Sequence, residues 1–292
     1  MLLPLLKALT QHRNWLELAV SMLFLCISTN TNAVIDQSFT LPLMFEYESN
    51  PSLSVTDEQP INRFVLVPEY SLLINQGSEQ WSAGASVRIE RASDQMISAD
   101  RNDPSLTLGW RHNYEAGQFG VSARLNNQST RVTQYTEIGE QISGDNTQKN
   151  RTVSVDWLNS LSDRTSLRLN GAVTNVTFEG LSTAGLIDYH NESVTARLSY
   201  TVSEKMEIFS ELFFSRFKAE DVNSLYSETK GFNLGLIWDI NEKFNMSASA
   251  GTNNTISESN IQSASDSNSW QAMLDIRYTT FRNTSHLSLS KS

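Results

Sequence analysis

"SLTLGWRHN", Ser105 to Asn113, alternates. Leu106, Leu108 and Trp110 share one parity, and Ser105, Thr107, Gly109, Arg111 and Asn113 the other. Side chains of a β-strand point alternately to its two faces, so this stretch has one apolar and one polar face. Whether the apolar face meets a protein core or lipid decides the fold. Other segments repeat the pattern. "WSAGASVRIE" sets Trp81, Ala83, Ala85, Val87 and Ile89 against Ser82, Gly84, Ser86, Arg88 and Glu90. "FGVSARLNN" sets Phe119, Val121, Ala123 and Leu125 against Gly120, Ser122, Arg124 and Asn126. "FNMSASAG" and "SWQAMLDIRY" do the same further on, whereas "MEIFSELFFSRF" carries apolar residues on both parities and is ambiguous in phase.

The alternating segments are joined by two kinds of connection. Short ones are centred near Gly77, Ala116, Asp163, Ser203, Glu242 and Arg282, spaced by 39, 47, 40, 39 and 40 residues. Long polar ones alternate with them, from "ESNPSLSVTDEQPIN" to "TNNTISESNIQSASDSN". A propeller blade of similar length would need four short strands. Here each unit holds two long strands, one tight turn and one long loop, which is the pattern of an antiparallel transmembrane β-barrel with short periplasmic turns and long extracellular loops. A closed barrel also leaves no unpaired edge in lipid. The count of hairpins predicts an all-β barrel of about 12–14 strands: twelve, with a thirteenth beginning near Ser285. Either the barrel has twelve strands and a tail, or the chain lacks its last strand.

Composition excludes other classes. The chain has 292 residues, a net charge of −10 and a pI near 4.9, so no basic stripe is left for nucleic acid. Mean hydropathy is −0.33, and a single apolar run, "WLELAVSMLFLCISTNTNA", follows Lys7, His12 and Arg13. That run reads as a secretory signal peptide over residues 1–33, cleaved after Ala33, with residues 34–292 as one barrel domain. Its Cys26 is the chain's only cysteine, so a mature chain would hold no disulfide and no cysteine-based zinc site. Export without cysteines leans toward a bacterial envelope.

Aromatic residues cluster beside the tight turns: Trp81, Trp110, Tyr114, Phe119, Trp157, Tyr200, Trp238, Phe244 and Tyr278. Such clustering at one end of hairpin after hairpin predicts an aromatic girdle at one membrane interface. The apolar face of "SLTLGWRHN" is therefore expected to meet lipid. The polar face carries Arg88, Glu90, Arg111, Arg124, Asp156, Arg168, Arg197, Asp275 and Arg277. These residues are expected to line the lumen, either as a water-filled path or as a salt-bridge network that plugs it. Asp94, Asp100, Asp103 and Glu140 read as a solvated acidic rim, calcium binding being the weaker reading. His112 reads as an interface residue, while His190 and His286 belong to no nucleophile elbow or zinc motif. No catalytic residue, metal site or cofactor is expected.

One further pattern points to a family. "FEYESNPSLS" (Phe45–Ser54), then "RFVLVPEYSL", "IERASDQ" and "ADRNDPSLTLGW", resembles the outer-membrane β-barrel porins associated with exopolysaccharide export, some of them linked to PEP-CTERM sorting systems. The resemblance implies a barrel with a role in polysaccharide export or assembly, and it brings no catalytic residues. One departure is the ending "HLSLSKS", because such barrels normally finish on an aromatic residue read by the barrel-assembly machinery. The expected partners are outer-membrane lipid, lipopolysaccharide, that machinery and polysaccharide. A porin-like channel in the bacterial outer membrane is the leading functional reading. Beside it stand a closed structural or adhesive barrel with acidic loops, a barrel enzyme, and a soluble secreted β-sandwich or solenoid.

Overall fold

The computed structural model describes residues 33–49, 60–95, 98–130, 146–180, 186–220, 224–260, 262–281 and 283–291. The expected signal segment up to residue 32 and Glu140 lie outside the described residues. The first strands are β1 (Val34–Thr40), β2 (Leu43–Glu48), β3 (Ile61–Leu66), β4 (Glu69–Gln76) and β5 (Glu79–Ala92). Next come β6 (Arg101–Tyr114), β7 (Gly117–Ser129), β8 (Thr147–Ser162), β9 (Thr165–Glu179) and β10 (Tyr189–Ser203). The last are β11 (Met206–Ala219), β12 (Tyr226–Asn241), β13 (Phe244–Ser259), β14 (Gln262–Thr279) and β15 (Thr284–Lys291).

All fifteen belong to one antiparallel sheet, a meander in which consecutive strands pair from β4 to β15, while β1 pairs with β4, β2 with β3, and β3 with β5. Two of the breaks are made by proline. Pro42 separates β1 from β2 and Pro68 separates β3 from β4, because proline has no N–H to give to a ladder. The strands rejoin around these breaks through Val67 N to Pro42 O (3.0 Å) and Val87 N to Pro68 O (3.2 Å). Fifteen elements therefore make thirteen runs across the sheet. The thirteenth, expected near Ser285, is β15, a strand paired with β14 from Thr284 to Lys291 rather than a tail. β1 and β15 form the two edges of the sheet, and no pairing joins them among the described residues.

The short connections near Gly77, Ala116, Asp163, Ser203 and Glu242 fall where the spacing put them, and Arg282 lies outside the described residues. Gly77 takes φ +58° in the two-residue turn between β4 and β5, a left-handed conformation that glycine adopts without a Cβ penalty. One expectation fails. "TNNTISESNIQSASDSN" is not a long loop: β13 and β14 run through it, paired from Phe244–Tyr278 to Ser257–Ser265 and again at Ser259–Gln262. Hydrogen bonds between polar side chains lock the extension, with Asn254 donating to Asn268 (3.0 Å) and Ser269 to Asn253 (2.6 Å).

Burial is inverted relative to a water-soluble protein. The apolar residues that are fully buried are few, and the largest are Ile61, Val65 and Val176. Leu108, Leu125, Val153, Val155, Val173, Val194, Leu198, Leu212, Phe232 and Leu234 are all exposed. Soluble monomers scatter exposed apolar side chains singly and do not join them into a belt.

Candidate functional site

Residues directly opposite each other in an antiparallel pair share a face, so the register carries one face across the whole sheet. Arg88 faces Asp103, Glu90 faces Arg101, and Gln80 faces Arg111. Arg111 faces Gly120 and Thr107 faces Arg124. Gly120 faces Asp156, Leu158 faces Arg168, and Arg168 faces Arg197. In β13 and β14, Ser247 faces Asp275 and Asn245 faces Arg277. All nine charged residues named from the sequence stand on this polar face. The register also resolves "MEIFSELFFSRF": Phe209, Glu211, Phe213 and Phe217 share the polar face, and Ile208, Ser210, Leu212 and Phe214 the apolar one.

The polar face has two electrostatic zones. At the long-loop end, β2, β3, β5 and β6 hold a packed ionic cluster. Arg63 Nη1 meets Glu48 at 2.7 Å and Arg63 Nε meets Glu90 at 3.3 Å. Arg88 bridges Glu90 (3.2 Å) and Glu46 (3.0 Å). Beside them Arg101 grips Asp103 with Nη2 at 3.0 Å and reaches Thr147 Oγ1, also at 3.0 Å. Arg63 and Glu90 are 3% and 2% exposed, so the centre of this cluster is sealed from water, while Glu46, Glu48 and Arg88 at its border are partly exposed. Asp103 therefore does not belong to a solvated rim: it lies inside β6, buried against Arg101. Asp94 and Asp100 do lie in the connection between β5 and β6, where Asp100 accepts from Ala92 N (3.1 Å) and Gln95 Nε2 (3.2 Å).

Over the rest of the face the charges are mostly single. Arg197 pairs with Glu211 at 2.6 Å, and Asp275 meets His286 at 2.8 Å. Arg111, Arg124, Arg168, Arg277 and Asp156 make no ion pair among the described residues. Arg168 even stands directly opposite Arg197. Glu211 neutralises Arg197, so the charge left without an ion-pair partner at this position is that of Arg168. Two shallow recesses, of about 300 and 160 Å³, indent this face, the larger beside Ser38, Thr40, Ser71, Ser86 and Thr107. Groups of three or more metal-binding side chains are absent among the described residues.

The opposite face bears the aromatic residues. The nine named from the sequence lie on it at the short-turn end. Trp81 and Trp110 are cross-strand partners with ring centroids 5.9 Å apart, and Trp110 meets Phe119 edge-on at 5.7 Å. Trp157 Nε1 donates to Tyr114 Oη at 2.6 Å. Glu79 ties this band together, accepting from Trp110 Nε1 (2.5 Å) and lying 2.6 Å from His112 Nδ1. His112 thus sits within the aromatic band, as its parity predicted. His190 bonds to Asn175 and Glu192, and His286 to Asp275, with no serine hydroxyl among these partners.

An antiparallel wall with an exposed apolar belt, an aromatic border and a charged reverse face defines an outer-membrane β-barrel, the kind of protein that spans a bacterial outer membrane with strands. No protein-family model matches the chain, and no curated protein matches it in sequence. Among solved structures it is similar to outer-membrane expressed OmpT of Vibrio cholerae, at 9% identity and a TM-score of 0.42, covering 86% of this chain and 98% of that one. It is also similar to an outer-membrane channel from Pseudomonas putida F1 (10%, TM-score 0.40, 86% and 97%). A third is a bacterial polysaccharide outer membrane secretin (10%, TM-score 0.45, 88% and 82%). Likenesses this distant carry no function across.

Proposed function

We propose that this chain forms a porin-like outer-membrane channel serving polysaccharide export. In this reading residues 1–33 are removed and the mature chain starts at Val34. The nine charged residues of the polar face line the lumen, and the nine aromatics form the girdle at the periplasmic interface. One observation carries the channel reading: Arg111, Arg124, Arg168, Arg277 and Asp156 stand unpaired on the polar face, with Arg168 opposite Arg197. A dry plug would not tolerate five charges without partners. The polysaccharide part rests on the sequence resemblance alone, and lipopolysaccharide and the assembly machinery are the partners it brings.

The test is single-channel recording of the refolded chain from Val34 in a planar bilayer, with folding checked by the heat-dependent gel shift. Steady steps that scale with salt support the channel, and loss of surface polysaccharide on deleting the gene supports the export role. A folded, silent barrel favours a second reading, a closed structural or adhesive barrel. The sealed cluster of Arg63, Glu90, Arg101 and Asp103 at the long-loop end is the observation behind that alternative.

A further inference from the structure

The polar face has one anomaly, the phenylalanines of β11. Phe209, Phe213 and Phe217 all point to it, separated by four residues and so by about 13 Å along the strand. The neighbouring strand is cut back to receive the first two. Phe209 faces Gly235 and Phe213 faces Gly231, and a Cβ at either glycine would collide with the opposing ring. Each ring therefore reaches over the glycine beside it, an arrangement that covers exposed backbone in a sheet. Phe217 continues the line, with Tyr189 at 5.4 Å between ring centroids.

The rings are not equivalent. Phe209 is buried, with the Arg197 guanidinium 4.3 Å above its centroid. That guanidinium is neutralised by Glu211 at 2.6 Å. Phe213 and Phe217 are only half-buried. Alongside them runs a ladder of uncharged polar groups: Gln271 donates to Asn233 (2.6 Å), Asn253 donates to Gln271 (3.4 Å), and Ser269 donates to Asn253 (2.6 Å). An aromatic face carries negative quadrupole charge and attracts the weakly positive C–H face of a ring such as a pyranose. Amide and hydroxyl groups beside it can exchange hydrogen bonds with sugar hydroxyls. Beside the strip Arg197 is cancelled by Glu211, and the groups nearest Phe213 and Phe217 on this face are uncharged, so they offer nothing specific to a charged sugar.

We propose that the strip from Phe209 to Phe217, with Asn233, Asn253 and Gln271 beside it, is a track that binds uncharged pyranose chains. Its place inside a lumen rests on the channel reading above. The test is calorimetric titration of the folded, detergent-solubilised chain with a neutral glucan hexasaccharide. Wild type binds it, and Phe213→Leu/Phe217→Leu, which keeps apolar bulk and removes the aromatic faces, binds it about tenfold more weakly. Gln271→Ala provides a second variant, outside the strand that holds the rings, and weakens binding as well. Absence of binding by the folded wild type overturns the proposal, as does equal binding by the leucine variant. Bilayer recording separates the two ideas: binding without conductance sinks the channel and leaves the track, and conductance without binding does the reverse.

Discussion

Leu234→Arg tests the lipid-facing assignment most directly. Leu234 is 55% exposed and sits on the apolar face of β12 between Leu236 and Phe232, opposite Ser210 and Ala250. Trp238, at the aromatic border, is four residues away, or about 13 Å along the strand at about 3.3 Å per residue. A strand tilt of about 40° reduces this to about 10 Å of height, and an apolar band of about 25 Å has its midplane about 12 Å from either border. Leu234 therefore lies near the midplane. Arginine there costs about 2–4 kcal/mol on a lipid face, against about 0–1 kcal/mol near an interface. At a water-exposed position the same change stays within about 0.5 kcal/mol. The lipid case shifts the folding equilibrium by about 30- to 700-fold. Urea titration of the chain folded into vesicles, followed by the heat-dependent gel shift, reads this difference. Asn254→Arg is the control, on the same face of β13 but beyond the apolar belt. If Leu234→Arg costs no more than Asn254→Arg, the apolar face does not meet lipid.

Three further outcomes are expected. Arg63→Ala removes a cation from beside Glu90, itself 2% exposed, and should cost about 3–5 kcal/mol by denaturant midpoint; Arg63→Met/Glu90→Leu should recover most of that loss. Arg168→Glu places a carboxylate opposite Arg197, whose charge Glu211 already meets, so stability should stay within about 0.5 kcal/mol. Because the unpaired arginines outnumber Asp156, reversal potentials in a salt gradient should show anion preference in wild type and a shift toward cations in Arg168→Glu. Tyr114→Phe deprives Trp157 Nε1 of its 2.6 Å acceptor and should cost about 1 kcal/mol, read as a lower urea midpoint with the gel shift intact.

The two faces were legible in the sequence because lipid on one side and water on the other force period-two alternation. "WSAGASVRIE" and "FNMSASAG" show it cleanly, and every charged residue they and their neighbours suggested for the polar face lies on it. Legibility fails where both faces meet the same surroundings. Beyond the belt, Thr252–Ser259 and Ala264–Asn268 leave side chains of both parities at least partly exposed, so alternation vanishes and paired strand reads as loop. The opposite failure occurs in β11, where Phe209 and Phe213 put apolar bulk on the polar face. A signal was present one strand later: in "GFNLGLIW", Gly231 and Gly235 share a parity and a four-residue spacing, and glycine repeated inside a strand marks a close approach. Arg63 and Glu48 were missed for another reason, since a single charge among Ile61, Phe64 and Val65 is specified only by the register that brings Glu90 to it.

Pore and plug are not exclusive descriptions of one surface, because the charges on it solve their desolvation problem in two different ways. Where the first strands bury them, the charges are matched: Arg63 by Glu48 and Glu90, Arg101 by Asp103. A buried ion without such a match costs several kcal/mol, so partnering there is a condition of folding. Toward the short turns the matching is partial: Arg197 keeps Glu211 at 2.6 Å, while Arg111, Arg168, Arg277 and Asp156 make no ion pair among the described residues. An ionised side chain without a partner costs little in water and several kcal/mol once it is buried away from water. On the channel reading proposed above, these unpaired charges face water. On that reading any constriction of the path belongs at the long-loop end, beside Arg63 and Arg101, and the wide, hydrated part toward the short turns.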